Sequence, residues 1–238
     1  MNIILFEEFP LHQIIPNKDP RGQHIRKVLH LEVGGKFRMG IVNGASGIAT
    51  ITGMDSSGIS YDWLPENQPI ELYKVTLLVA QIRPICMKRI LREAVSIGVE
   101  HILVVGSDTG ERSYAEAKLW STGEYRKYLI DGAMQSGKTG MATLHLEQNL
   151  DKALDSCDWK TKIVLDTVPA AKPLSKIRGV SEPVVLAIGP ERGWSDRERS
   201  LFLQHNFETR SFGDRILRTE TACPSALAVL LGIMGHLS

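Results

Sequence analysis

Residues 184–198 read Val-Val-Leu-Ala-Ile-Gly-Pro-Glu-Arg-Gly-Trp-Ser-Asp-Arg-Glu. The apolar run from Val184 to Ile188 has the length and composition of a strand buried on both faces. Ser195 and Glu198 stand at capping-box spacing, in which a hydroxyl and a carboxylate satisfy the free N–H groups at a helix start. A strand, a glycine-bounded loop and a capped helix leave unpaired backbone N–H groups at the carboxyl edge of a sheet, where open α/β sheets bind ligands. By spacing alone the stretch reads equally well as a tight turn with no ligand.

The flanking chain repeats the pattern. Lys74 to Gln81 is a second apolar, β-branched run, and Pro84 suits the first position of a helix. Met87, Leu91, Ala94, Val95 and Gly98 share one face of that helix. A strand is predicted at 101–105, a helix over about 122–136, and strands at 141–146, 161–166 and 207–212. A last helix is predicted from about Ala222 to His236, with Thr221 as its cap and Pro224 in its first turn. Strands alternating with helices give an α/β domain with a largely parallel sheet over residues 71–238. Residues 1–70 read differently. Short strands at 36–42, 47–53 and 58–63, separated by Asn43-Gly44, Gly53 and Asp55-Ser-Ser-Gly58, predict a small barrel or sandwich with one helical turn around Gln23 to Leu29. The boundary falls near Pro65-Glu-Asn-Gln-Pro69.

Composition excludes more than it assigns. The 238 residues are 43% hydrophobic and 23% charged, with a net charge of +1, so any nucleic-acid contact must come from local basic patches. Cys86, Cys157 and Cys223 have no CxxC spacing, which fits neither a disulfide framework nor a zinc site and suits a reducing compartment. No metal is expected. The start is too short and too acidic for a signal peptide, and no apolar run approaches the roughly 20 residues of a membrane span. The expectation is a cytoplasmic protein.

Gly132-Ala-Met-Gln-Ser-Gly137-Lys138-Thr139 matches the phosphate-loop pattern GxxxxGK[ST]. That mechanism needs a strand before the loop and a helix after it. Here the order is reversed: a helical pattern precedes the motif and a strand follows. A helix C-terminus capped by Gly137 or Gly140 is the better reading, and a nucleotide hydrolase using residues 132–139 is kept only as a distant third alternative.

A second polar segment, Phe212-Gly-Asp-Arg-Ile-Leu-Arg-Thr-Glu-Thr-Ala222, joins a strand to the last helix. Together with Ile188-Gly-Pro-Glu-Arg-Gly-Trp-Ser195 it resembles the signature of the RsmE family, the ribosomal RNA uridine N3-methyltransferases of the SPOUT class that act on small-subunit (16S) RNA. Lys74, Ala94, Gly98-Val99, Glu111-Arg-Ser113 and His24-Ile-Arg-Lys-Val-Leu-His30 extend the resemblance over most of the chain. Four positions depart from the pattern: Arg192 stands at a usual glycine and Trp194 at a usual Phe, while within Ala133-Met-Gln-Ser-Gly-Lys138 Met134 stands at a usual Glu and Lys138 at a usual Arg.

The resemblance implies a PUA-like RNA-binding β-barrel over residues 1–70 and a SPOUT-type α/β trefoil-knot methyltransferase domain over 71–238, paired as a homodimer on ribosomal RNA or the small ribosomal subunit. It implies S-adenosylmethionine as cofactor. By position, Leu165 and Asp166, then Ile188, Gly189, Pro190, Glu191 and Gly193, and finally Phe212, Gly213, Ile216, Leu217, Arg218, Thr219 and Ala222 would bind it. Arg218 would stabilise negative charge on the base, and Glu191 or Glu220 would accept its proton. Local basic residues would contact RNA: Arg21, His24, Arg26 and Lys27 in the first domain, with Lys36 and Arg38 nearby, and Arg83 and Arg92 in the second, with Lys88 and Arg89 nearby. The first 70 residues carry 6 Lys and Arg against 7 Asp and Glu. Two function classes follow, an active RNA base methyltransferase and a non-catalytic RNA-binding paralogue that retains the fold.

Overall fold

Turn residues punctuate the first 70 positions, and the strands between them pair. The structure, a computed structural model, describes residues 2–10, 13–69, 71–155 and 158–237; Cys157 lies outside them. The chain forms two compact units, residues 1–71 with 133–141, and residues 72–132 with 142–238.

In the first unit β1 (Ile4–Phe6), β2 (Ile14–Pro16), β3 (Lys36–Ile41), β4 (Ser46–Met54) and β5 (Gly58–Asn67) form one sheet in the order β1-β3-β4-β5-β2. Its pairs are antiparallel except β1 with β3. A register shift between Ile51 and Gly53 breaks the ladder of the longest pair, and such bulges bend a strand and increase its twist. Alternate residues of β4 are buried, so one face carries a core of Phe6, Ile15, Phe37, Met39, Ile51, Ile59 and Tyr61. Helix α1 (Pro20–Lys27) closes against it through Ile25, and the Asp19 side chain caps its first turn. The helix is longer than sequence predicts and starts three residues earlier. β1 and β2 have three residues each, too few for alternation to reveal.

The second unit holds a seven-stranded sheet in the order β10-β12-β9-β11-β6-β7-β8, with every pair parallel. Its strands are β6 (Tyr73–Ala80), β7 (Val99–Val105), β8 (Thr143–Glu147), β9 (Thr161–Leu165), β10 (Lys172–Pro173), β11 (Val184–Ile188) and β12 (Glu208–Ser211). The central strands β6 and β11 are buried almost throughout, as a sheet covered on both faces requires. Helix α2 (Pro84–Ile97) packs on α7 (Thr219–Ile233) over one face. On the other, Leu78, Ala80, Leu103, Trp159, Ala187, Trp194, Phe202 and Phe207 form a core shared with α5 (Leu150–Asp155) and α6 (Asp196–Gln204). α2 begins at Pro84 and ends on Gly98 at φ +100°, as its sequence indicates.

Two helix starts differ from expectation. The predicted helix over about 122–136 is α4 (Tyr125–Ser136), which starts three residues later; a separate short helix, α3 (Lys118–Ser121), precedes it across Gly123, which takes φ +72°. α7 begins at Thr219, capped by Arg218 without a side-chain bond, so Thr221 lies inside it and Pro224 sits a full turn in. Thr219 is the first helical residue, and its hydroxyl bonds outside the helix, as described below. The phosphate-loop lookalike is α4 ending at Ser136, then Gly137 at φ +72° and an irregular stretch before β8. Thr139 donates its hydroxyl to Gly44 O at 2.7 Å and Arg38 Nη2 donates to Gly137 O at 3.1 Å. These bonds tie the segment into the first unit; no backbone nest opens there. Met134 is buried, and its carbonyl accepts from Asn2 N.

Candidate active site

β9, β11 and β12 are adjacent and parallel, so Leu165, Ile188 and Ser211 end at one sheet edge. The ends of β9 and β11, the three loops that follow and the first turn of α7 hold the cofactor candidates, from positions as much as 57 residues apart (165 to 222). The direction of winding changes between β11 and β6, which remain parallel: β6 crosses to β7 on one side, while β11 leads to β12 on the other. At such a switch point the connections diverge and leave a crevice at the carboxyl ends of the two central strands. Gly189 to Trp194 and Gln81 to Arg83 border it.

Each loop is fixed by contacts local to the second unit. Gly193 N donates to Pro190 O at 2.9 Å, and Gly193 takes φ +72°. The left-handed residue of the turn is therefore Gly193, not Arg192, and Arg192 keeps ordinary backbone angles. A Cβ on Gly189 would lie 3.2 Å from the Trp194 ring, and that indole packs edge-on against Phe202, with ring centroids 4.8 Å apart. Thr219 Oγ1 donates to Gly189 O at 3.1 Å and so pins the start of α7 to the β11 loop. Asp166 accepts from Arg199 Nε at 2.7 Å and, through Oδ1, from Thr167 N, so its carboxylate already has partners. Gly213 takes φ +78° with open space around it.

The capping box at Ser195 and Glu198 is present, and it reaches further than a helix start. Glu198 is 0% exposed. One oxygen accepts from Ser195 N at 2.7 Å and the other from Asp108 N at 2.9 Å, while Thr109 Oγ1 donates to Gly193 O at 2.7 Å. Asp108 meets Arg197 at 2.7 and 2.9 Å, and Arg197 also reaches Asp151. The Arg197 and Ser195 donors hold the Asp108 carboxyl below the usual carboxylate range. Sequence shows the capping box, but nothing local to residues 106–110 signals that this loop shares it.

Among the candidate catalytic residues, Glu191 and Arg218 are exposed and Glu220 is half-buried in the first turn of α7. The first turn of α2 stands beside both carboxylates. Burial, and then a hydrogen bond to Glu220, push the Cys86 thiol up. Arg83 Nε donates to Tyr114 Oη at 3.3 Å, and that bond, followed by the phenol and Glu191 charges, raises the Arg83 pKa. Cys86 and Tyr114 were not singled out by sequence, because an isolated Cys or Tyr carries no spacing signal.

Of the RNA candidates in the first unit, Arg21 pairs with Asp19, stacks 4.0 Å over the Phe6 ring and donates to Leu5 O. Arg26 donates to Asn17 and to Gly58 O. His24 Nε2 is buried without a partner among the described residues, and burial lowers its pKa. Lys27 is exposed at the end of α1. In the second unit Arg92 pairs with Asp131 at 3.7 Å beside Tyr128.

An RNA methyltransferase domain model matches residues 68–231. The chain belongs to this family. It is 34% identical over 97% of its length to a ribosomal RNA small subunit methyltransferase E of Treponema pallidum, covering 91% of that protein. It is 32% identical over 95% of its length to ribosomal RNA small subunit methyltransferase E 1 of Borreliella burgdorferi, covering 95% of it. Its fold matches a Neisseria gonorrhoeae ribosomal RNA small subunit methyltransferase E, crystallised with S-adenosylmethionine, at a TM-score of 0.81 with 98% of each chain covered and 24% identity. The fold is therefore that of this solved methyltransferase: an α/β domain with a parallel seven-stranded sheet, and a mainly antiparallel N-terminal sheet. No described helix is long and apolar enough to cross a membrane, and among the described residues no group of three or more His, Cys, Asp or Glu is placed to hold a metal.

Proposed function

We propose that this member of the family transfers a methyl group from S-adenosylmethionine to N3 of a uridine in small-subunit ribosomal RNA, working as a cytoplasmic homodimer whose first unit is a PUA-like RNA-binding domain. The observation that carries the reading is the convergence of the 165–166, 188–193 and 212–222 loops on the sheet edge beside the switch point.

The residues there fit the cofactor. Ile188 and Leu165 close the strand ends, and Ile216 is 86% exposed in the same set of loops. That apolar surface suits an adenine ring, and backbone groups beside Gly189 and Gly213 suit its polar edge. Leu165, Asp166, Ile188 to Gly193 and Phe212 to Ala222 would hold it. When bound, S-adenosylmethionine supplies a methyl already activated on a sulfonium.

The chain's own task is to bind, orient and deprotonate. Holding the base against the donor accounts for up to about 7–11 kcal/mol of barrier in well-oriented reactions. Arg218, exposed at the head of α7 with no cap bond from its side chain, offers a cation to the uridinate that forms as N3 loses its proton. Of the two acids, Glu191 is the better acceptor for that proton. It lies on the exposed β11 turn beside Arg83, whereas Glu220 is engaged with the Cys86 thiol.

The test is calorimetric titration of S-adenosylmethionine, followed by transfer of labelled methyl to small ribosomal subunits. Saturable binding and transfer support the reading. Binding without transfer to any ribosomal RNA particle would favour the non-catalytic paralogue.

A further inference from the structure

We infer that a cleft over the carboxyl ends of β6, β7 and β8 is a second RNA subsite, which takes the base of one unpaired nucleotide neighbouring the target. The inference rests on the RNA-methylation reading above. The cleft measures about 640 Å³, within the range of about 300–1,000 Å³ typical of small-molecule sites.

Its lining favours a base over a phosphate. Asp108, Glu111 and Asp151 face it against Arg112 and Arg197, so the wall carries no surplus of positive charge. Asp108 and Asp151 share the single guanidinium of Arg197, which leaves the wall slightly acidic and unsuited to a phosphate. What remains is hydrogen-bonding surface: the amides of Gln81, Gln148 and Asn149 and the hydroxyl of Ser107. Ser107 Oγ is buried and has no partner among the described residues, and Arg112 forms no ion pair with a described residue. Unpaired RNA is read in this way, by amide, hydroxyl and carboxylate groups on the edge of a splayed base.

The cleft is preformed and joined to the methyl-transfer crevice. Its β7 wall is held by the Asp108 N to Glu198 and Thr109 to Gly193 bonds. Gln81, 6% exposed, donates through Nε2 to Tyr114 O at 3.1 Å, and the Tyr114 hydroxyl meets Arg83 at the crevice. Gln81 and Arg83 are two residues apart, so consecutive nucleotides of one strand reach both sites. A side chain at Gly110 would place its Cβ 2.8 Å from Ser107 Oγ, at the lining itself.

The test is steady-state methylation of small ribosomal subunits by Arg112→Ala/Gln148→Leu, with Gln148→Leu alone as the milder variant; both positions are exposed. The expected result is an RNA KM raised about tenfold in the double variant and less in the single, with kcat at saturating RNA and S-adenosylmethionine affinity unchanged. An unchanged KM in both overturns the subsite. A fall in kcat at saturating RNA also overturns it, because the cleft would then hold the reacting base. Failure of the wild-type protein to methylate any RNA is a separate result that removes the function reading itself, and this inference with it.

Discussion

Thr219 Oγ1 donates to the carbonyl oxygen of Gly189 across 3.1 Å, joining the first residue of α7 to the loop after β11. Thirty residues apart in sequence, the two positions tie the start of α7 to one of the proposed cofactor loops. Thr219 is 4% exposed, so Thr219→Val leaves the shape but strands the Gly189 carbonyl. The expected cost is about 1–3 kcal/mol of stability, with cofactor affinity reduced, while Thr219→Ser retains both. Thermal melts and calorimetry on the two variants check this.

Gly189→Ala and Gly213→Ala should both weaken cofactor binding for different reasons. At 189 the new Cβ meets the Trp194 ring at 3.2 Å, whereas at 213 there is open space but φ is +78°. The second change costs about 1–2 kcal/mol from the backbone alone. Normal affinity in both variants would show that these loops do not form the pocket.

Stability should fall in acid through Asp108. Its carboxyl is held below the ordinary value near 3.8, first by Arg197 and then by Ser195. A depressed folded-state pKa means that the contribution is present above pH 3.8 and is lost as pH falls through the lower folded value. Asp108→Asn should therefore melt earlier than wild type near neutrality, with the gap narrowing below about pH 4. The comparison belongs at low salt, because the pair is partly exposed. A gap that stays constant across that range would rule out the ion pair as its source.

Arg218→Ala should lower kcat on the order of 100-fold or more, the size seen when one charge-stabilising donor is removed, and leave S-adenosylmethionine affinity nearly unchanged. Normal turnover with cofactor bound would move the charge-stabilising role to another cation, such as Arg83 beside Glu191.

β6 and β11 were legible because they are buried on both faces and read as unbroken apolar runs, whereas the two-residue β10, exposed throughout, carries no pattern. The Ser195–Glu198 cap was legible because its two residues are three apart. What escaped was non-local. Asp108 joins that cap from 90 residues away, and Thr219, the first residue of α7, holds Gly189 from 30 residues away. The phosphate-loop lookalike was correctly rejected from element order, but its attachment to the first unit through Arg38 and Gly44 has no sequence signal. Arg21 and Arg26 read as free basic residues and proved to be bonded to Asp19 and Asn17, since composition cannot distinguish a solvated charge from a paired one.

The most direct test of the account is to incubate the protein with small ribosomal subunits and labelled S-adenosylmethionine, then map the label by primer extension, which a methyl on the pairing face of uridine blocks. The account predicts stoichiometric transfer to one uridine, lost in Arg218→Ala. Saturable cofactor binding with no transfer to RNA, or transfer to a position that leaves base pairing intact, would contradict it.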